Sequence, residues 1–212
     1  MFVSYRENYI LVYMKLNTDI LNLFKIESNN IVPAKGRILI AAPFLVEPDF
    51  GRSVILLIEH TEQGSMGLVF NRIMRYNLNH LIKGLDELEP IPLYKGGPIG
   101  MDTLFYLHDL EDVPNSLSMG NGIYLNGDFN AVKEYLLSGR YKEGRVRFFL
   151  GYSGWDSKQI IDELKTNTWV VAEENLTFLL DEPIDRLWKS TLERLGYKYK
   201  TWSKFPQIPA LN

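Results

Sequence analysis

The pairs Glu59-His60 and Arg52-Ser53 are the residues of this 212-residue chain whose types best suit chemistry. Histidine titrates near neutral pH and can shuttle protons, and the fork of an arginine suits a carboxylate or a phosphate. Each pair also has a structural interpretation: His60 hydrogen-bonded at a strand end, and Arg52 bridged to Asp49 or Glu59. Neighbours on a strand point to opposite faces, so Glu59 and His60 reach one substrate atom only where the strand has ended.

Three apolar segments of strand length must position these residues, and they lie at 37–42, 54–58 and 66–70. Their runs are continuous rather than alternating, which predicts strands covered on both faces. The turn around Gly64 has the length of a hairpin connection, so the second and third strands are predicted to be adjacent and antiparallel. Arg52 and Asn71 then lie at one end of the sheet, and Glu59 and His60 lie at the other.

A second candidate is the segment Gly151-Tyr152-Ser153-Gly154-Trp155, which follows a predicted strand and precedes a predicted helix. It invites comparison with the Gly-x-Ser-x-Gly nucleophile elbow, but its glycines are one residue too close and no His/Asp partners are visible. We therefore predict a turn in which Trp155 fills the core. The free N–H groups of the next helix would be available to an anion.

Composition limits the classes of function. The net charge is −3 with a pI of about 5.7, so the chain has no overall attraction to nucleic acid. The absence of cysteine excludes disulfides, thiol catalysis and Cys-ligated metal centres. Three histidines leave little for a His-rich metal site, and we expect no metal and no cofactor. No apolar run approaches the roughly 20 residues that cross a bilayer, so no membrane association is expected.

The chain divides into three predicted segments. Residues 1–33 form an extension with a short helix over 16–24, residues 34–196 form one domain, and residues 197–212 form a tail on the surface or mobile. The first residues do not resemble a signal peptide, so a cytoplasmic protein is expected. Met14 is a plausible second start, which would make residues 1–13 untranslated.

Strands and helices mix without a strict βαβ rhythm, which favours an α+β fold with a mixed sheet. Helices are predicted from Asn77, from the cap residue Asp128 to Ser138, and from Pro183 to Leu195. The pair Gly96-Gly97 before a proline predicts a turn that brings the backbone close to a neighbour.

Several of these motifs occur in the order typical of one family. They are Arg52-Ser53-Val54, Glu59-His60, Gly64-x-Met66-Gly67, Asn71-Arg72, Gly96-Gly97-Pro98, Gly151–Trp155, Gln159 and Trp169. Over residues 34–196 the chain resembles the YqgE/AlgH family of small bacterial proteins, whose members are described as transcriptional regulators. The resemblance implies a bent, branched sheet that forms a pseudo-barrel flanked by helices. Lys158 departs from the family pattern, which has glycine before the glutamine.

The leading hypothesis is a non-enzymatic cytoplasmic binding or regulatory protein that contacts a protein or a small ligand. Its predicted groove is lined by Arg52, Ser53, Glu59, His60, Asn71, Tyr152 and Trp155. One alternative is a hydrolase or lyase in which His60 is the base and Arg52 holds an anionic substrate. Another is a DNA-binding regulator, although no helix-turn-helix, zinc finger or basic helix is visible. The tail residues 197–204 interleave cations and aromatics, which would suit single-strand stacking or a solvated terminus.

Overall fold

The computed structural model describes residues 25, 27, 29–142 and 144–206. The predicted helix over 16–24 lies outside the described residues, as do residues 1–13. Within the described part, ten strands and five α-helices form an α+β fold in which helices flank one mixed sheet. This confirms the predicted fold class.

The strands account for most of the central layer, and the three predicted apolar segments form its first three members. In chain order the strands are β1 (Ile38–Ala41), β2 (Val54–His60), β3 (Gly64–Val69), β4 (Ile73–Asn77), β5 (Pro92–Lys95), β6 (Ile99–His108), β7 (Leu117–Gly120), β8 (Ile123–Leu125), β9 (Val146–Asp156) and β10 (Trp169–Ala172).

The sheet branches at β9. Its main path runs β10-β1-β2-β3-β9-β6-β8-β7, and β5 leaves this path by pairing with both β4 and β9. Only the β5–β9 pairing is parallel among the described strands. The two end strands β10 and β7 do not pair with each other, so the sheet stays open. The branched mixed sheet is confirmed, whereas the described strands do not close into the pseudo-barrel.

The segment Gly151–Trp155 is not a turn, and that prediction is wrong. β9 continues through it to Asp156, with Gly151 at a φ of +71° inside the strand. The chain passes close to Gly97 here, because a Cβ on that glycine would lie 2.1 Å from the carbonyl carbon of Tyr152. The two glycines at 96 and 97 thus admit β9 as a near neighbour, as their sequence predicted, and the small residues of β9 serve packing rather than a turn.

The α-helices are α1 (Phe129–Leu137), α2 (Gln159–Lys165), α3 (Leu176–Asp181), α4 (Ile184–Arg194) and α5 (Tyr197–Trp202), and Leu78–His80 forms one 3₁₀ turn. The side chain of Asp128 accepts a hydrogen bond from the N–H of Asn130, which confirms the predicted cap of α1. Sequence analysis missed β4, β7 and α3 altogether.

The core has a layer on each side of the central strands. Successive residues of β2, such as Ile55 and Leu56, enter different clusters, which confirms strands buried on both faces. Helices α3, α4 and α5 cover the first face, and α2 covers the second. A third cluster packs α1 against β5, β6 and β9.

Helix α5 corrects the expectation for the tail. Residues 197–202 are helical, and Trp202 is 0% exposed within the cluster that includes Trp188. Burial of the large apolar ring of Trp202 stabilises this packing. In the sequence, the basic neighbours Lys198 and Lys200 gave the segment the character of an exposed tail. The described part of the tail is therefore packed against the core, while the three-segment division remains a prediction.

Candidate functional site

The polar residues at the ends of β2 form two separate groups. Arg52 and Asn71 lie where β2 begins, and Glu59 and His60 lie where it ends, as predicted. A strand of seven residues separates its ends by roughly 20 Å. Arg52 and His60 therefore cannot act on one substrate atom, and the geometry gives no support to a hydrolase or lyase built from this pair.

His60 takes the structural role considered for it. Its Nδ1 lies 2.7 Å from Oγ of Ser65 across the β2–β3 hairpin, which is a hydrogen bond at the strand end. Glu59 is exposed beside an irregularity in the pairing between Leu57 and Glu59. The hairpin thus accounts for His60 without a ligand.

Tyr152 and Trp155 do not share a face of the sheet. Tyr152 packs against Phe105, with ring centroids 6.0 Å apart, on the side of the first core cluster. Trp155 belongs to the cluster on the opposite side. The single groove that sequence analysis drew through all seven residues is therefore not formed.

A cavity of about 460 Å³ opens at the start of β2 instead. It includes two predicted site residues, Arg52 and Asn71, and adds residues from the first half of α4. Its walls are Pro48, Gly51, Arg52, Asn71, Arg72, Ile184, Asp185, Trp188, Lys189 and Ser203. We call it the Arg52 cavity.

Arg52 is held in an unusual backbone conformation. Its φ is +58°, in the left-handed region that costs a side-chain-bearing residue energy. The amide of Asn71 fixes this conformation: its Nδ2 donates to the carbonyl of Arg52 at 2.9 Å, and its Oδ1 accepts the N–H of Val54 at 3.1 Å. Asn71 thus orients Arg52, with its own amide already engaged.

The Arg52 guanidinium is only partly engaged by the protein. Nη2 donates to the carbonyl of Phe205 at 2.6 Å, and Cζ lies 4.8 Å from the ring centre of Trp188. Nε is buried and has no hydrogen-bond partner among the described residues. Asp49 pairs with Lys95 instead, and no described bridge joins Arg52 to Glu59, so both bridges considered from the sequence are wrong.

Arg72 and Lys189 bring two more cations to the cavity. Arg72 donates through Nη1 to the carbonyl of Asn71 at 3.3 Å and through Nη2 to that of Gly51. Burial lowers the pKa of Arg72, which nearby Asp49 counteracts, and an arginine still stays charged at neutral pH. Among the residues lining the cavity, three cations thus face one carboxylate, that of Asp185.

Ser53 does not reach this cavity. Its side chain is 0% exposed, and its Oγ has no hydrogen-bond partner in the described part of the chain. Sequence analysis also missed Asp185 and Lys189 as site residues, because it predicted the helix from Pro183 to Leu195 without weighing its polar positions. The polar positions of that helix carried the signal.

Two other features bear on the predicted functions. No group of three or more His, Cys, Asp or Glu side chains suited to a metal occurs in residues 25, 27, 29–142 and 144–206. Trp202 is buried and so does not offer its ring to a nucleotide base, and the ammonium of Lys198 lies 5.4 Å from that ring. The stacking surface considered for residues 197–204 therefore loses its largest aromatic.

Comparison with known proteins fixes the family. A family model described as AlgH-like matches residues 38–200, which include both ends of β2 and every residue lining the Arg52 cavity except Ser203. The chain belongs to the AlgH-like family. This confirms the resemblance seen in the sequence. The AlgH-like chain is 55% identical over 199 residues to a UPF0301 protein of Bacteroides fragilis, covering 94% of this chain and 100% of that one.

More distant relatives support the same family assignment. A UPF0301 protein of Chlorobium phaeobacteroides is 33% identical over 178 residues, covering 84% of this chain and 95% of the relative. The solution structure of AlgH from Pseudomonas aeruginosa superimposes with a TM-score of 0.62 at 30% identity, covering 80% and 93% of the two chains. A crystal structure from Corynebacterium diphtheriae gives 0.68 at 25%, covering 84% and 95%. No helix of the described residues has the length and apolar character to span a membrane.

Proposed function

We propose that this AlgH-like protein is a binding protein whose ligand is a small anion, a carboxylate or a phosphate, held in the Arg52 cavity. The observation that carries the proposal is the partly unused guanidinium of Arg52, whose buried Nε has no partner among the described residues. A buried donor without an acceptor is costly, and an anion that entered the cavity would satisfy it. The proposal includes a regulatory role in the cytoplasm, in which occupancy of the cavity alters contacts with a protein partner.

The surroundings of Arg52 support an anion rather than a neutral ligand. Arg72 and Lys189 add positive charge, and only Asp185 opposes them among the lining residues. Charge-assisted hydrogen bonds to carboxylate or phosphate are about twice as strong as neutral ones. The cavity is large enough for a small organic anion, because ligand sites commonly measure about 300–1,000 Å³.

The test is a titration with inorganic phosphate and with acetate at constant ionic strength, followed by the Nε–Hε NMR signals of the arginines. We expect a saturable shift of the Arg52 signal with at least one of the two anions. Arg52→Gln should weaken binding by at least about tenfold, because it removes the charge and the fork together. Arg52→Lys should bind with intermediate affinity, since it keeps the charge alone.

Arg75→Gln is the matched control, because it removes the same charge from an exposed position on β4 outside the cavity. It should bind as the unmodified protein does. The proposal is wrong if neither anion moves the Arg52 signal, or if Arg75→Gln weakens binding as much as Arg52→Gln. Circular dichroism of each variant checks that the fold is retained.

A further inference from the structure

On the opposite face of the sheet, we propose a second binding site, one that takes an alkylated ammonium cation. It lies in a cavity of about 220 Å³ whose walls are Leu45, Glu47, Phe50, Gly154, Trp155, Gln159, Glu163, Thr168 and Trp169. We call it the Glu163 cavity. This inference does not rest on the anion proposal, because the two cavities share no lining residue.

Three aromatic rings form a corner at this cavity. The ring centres of Trp155 and Trp169 are 6.1 Å apart at an interplanar angle of 85°, and Phe50 stands 5.9 Å from Trp169 at 81°. Phe50 and Trp155 are 6.4 Å apart at 38°. The two steep pairs meet edge to face, and Trp155 (6% exposed) and Trp169 (1%) are buried, so Phe50 is the ring most accessible to a ligand. The negative face of an aromatic ring attracts a cation.

The carboxylate of Glu163 supplies the charge behind these rings. Its Oε2 accepts the indole N–H of Trp155 at 2.9 Å and that of Trp169 at 2.6 Å. Its Oε1 accepts a hydrogen bond from the side-chain amide of Gln159 at 2.8 Å. Each indole that donates to a carboxylate is polarised, which makes its ring face more negative.

Glu163 has no cationic partner within the part of the chain that the structure describes. None of the described ion pairs includes Glu163 or Glu47, which lies exposed beside the same cavity. Its three hydrogen-bond donors, Trp155, Trp169 and Gln159, are all neutral. A nearby positive charge stabilises the ionised form of a half-buried carboxylate held in this way. Aromatic faces and carboxylates together thus select a cation over an anion.

The ligand is best described as a quaternary or methylated ammonium group. Such a cation cannot donate strong hydrogen bonds, so it loses little when aromatic faces replace water around it. The small cavity volume suits a headgroup rather than a large molecule. A metal ion is disfavoured, because the indoles and the amide already occupy both oxygens of Glu163.

The test compares choline with 3,3-dimethylbutan-1-ol, a neutral molecule of nearly the same shape, in titrations of the intact protein followed by tryptophan fluorescence. We expect choline to give a saturable change and the neutral alcohol to give none at the same concentrations. Phe50→Leu removes one ring, and Glu163→Gln removes the charge while keeping an oxygen for the indoles. Each should weaken choline binding by at least about fivefold.

Glu134→Gln is the matched control, because it removes an exposed carboxylate that lines a different cavity. It should leave choline binding unchanged, as should Arg52→Gln, which separates this result from the anion test. Equal responses to choline and to the alcohol would overturn the inference. So would a Phe50→Leu variant that folds, by circular dichroism, and binds choline as tightly as the unmodified protein.

Discussion

Two buried tryptophans on the same side of the sheet allow a direct measurement of what one hydrogen bond contributes. Trp188 is 4% exposed and donates its indole N–H to the carbonyl of Ala41 at 2.9 Å. Trp202 is 0% exposed, and its N–H has no partner among the described residues. Replacing each by phenylalanine removes the same atoms from the same cluster, so the two variants differ chiefly in the hydrogen bond.

The expected magnitudes follow from these contacts. Loss of the second ring costs each variant about 1–2 kcal/mol of unfolding free energy. Trp202→Phe also removes a buried N–H that has no acceptor, which recovers about 1–3 kcal/mol. Trp188→Phe leaves the carbonyl of Ala41 without that donor, which costs about 1 kcal/mol more. We therefore expect Trp202→Phe near the stability of the unmodified protein, and Trp188→Phe less stable than Trp202→Phe by about 2–4 kcal/mol.

Urea unfolding followed by circular dichroism is the suitable assay, because it does not depend on the tryptophan signal that the variants alter. The two variants should share one m-value, so that their midpoints report stability directly. A Trp202→Phe variant as unstable as Trp188→Phe would refute the reasoning, since it would show that the N–H of Trp202 is satisfied in the folded protein. Trp202→Ala should cost about 3–5 kcal/mol, because α5 is then poorly packed.

Two further predictions concern the fold. Burial lowers the pKa of His108 in the folded protein, so as pH drops below about 6.5 the unfolded chain binds the proton first. The free energy of unfolding should therefore fall with pH in this range, by at most about 1.4 kcal/mol per pH unit. His108→Gln should flatten this slope in urea titrations at several pH values. Gly97→Ala should destabilise by at least about 3 kcal/mol, because its Cβ would meet backbone atoms of β9 at 2.1 Å. Gly154→Ala, whose Cβ would meet the tip of Ile99 at 3.2 Å, should cost far less in the same urea assay, and equal costs would contradict the packing argument.

The sequence predicts this fold well where the determining signal is local. The apolar runs of β1 to β3 and the cap Asp128 needed only neighbouring residues, and both are confirmed. Gly151 was misread because a glycine indicates either a turn or a close approach of two chains, and the choice depends on Gly97, which is distant in sequence. Such long-range packing is absent from any local pattern.

The same contrast between local and long-range signals applies to the candidate site. Arg52 and Asn71 were predicted to meet because a hairpin joins their strands. The partner of Arg52 is the carbonyl of Phe205, 153 positions away, and nothing in the short-range pattern indicates that contact. Trp155 was correctly predicted to be buried, but the face on which it lies depends on the register of β9 across the Gly151 irregularity.

One tight turn forms part of the wall of both cavities. Glu47 and Phe50 line the Glu163 cavity, while Gly51 and Arg52, the next residues along the chain, line the Arg52 cavity. The N–H of Gly51 donates to the carbonyl of Glu47 at 2.7 Å, so a backbone hydrogen bond joins the two walls. By thermodynamic linkage, a ligand that displaces this turn from one side changes affinity on the other by a factor that is the same in both directions. The turn thus gives the two faces of the sheet a physical route to cooperativity.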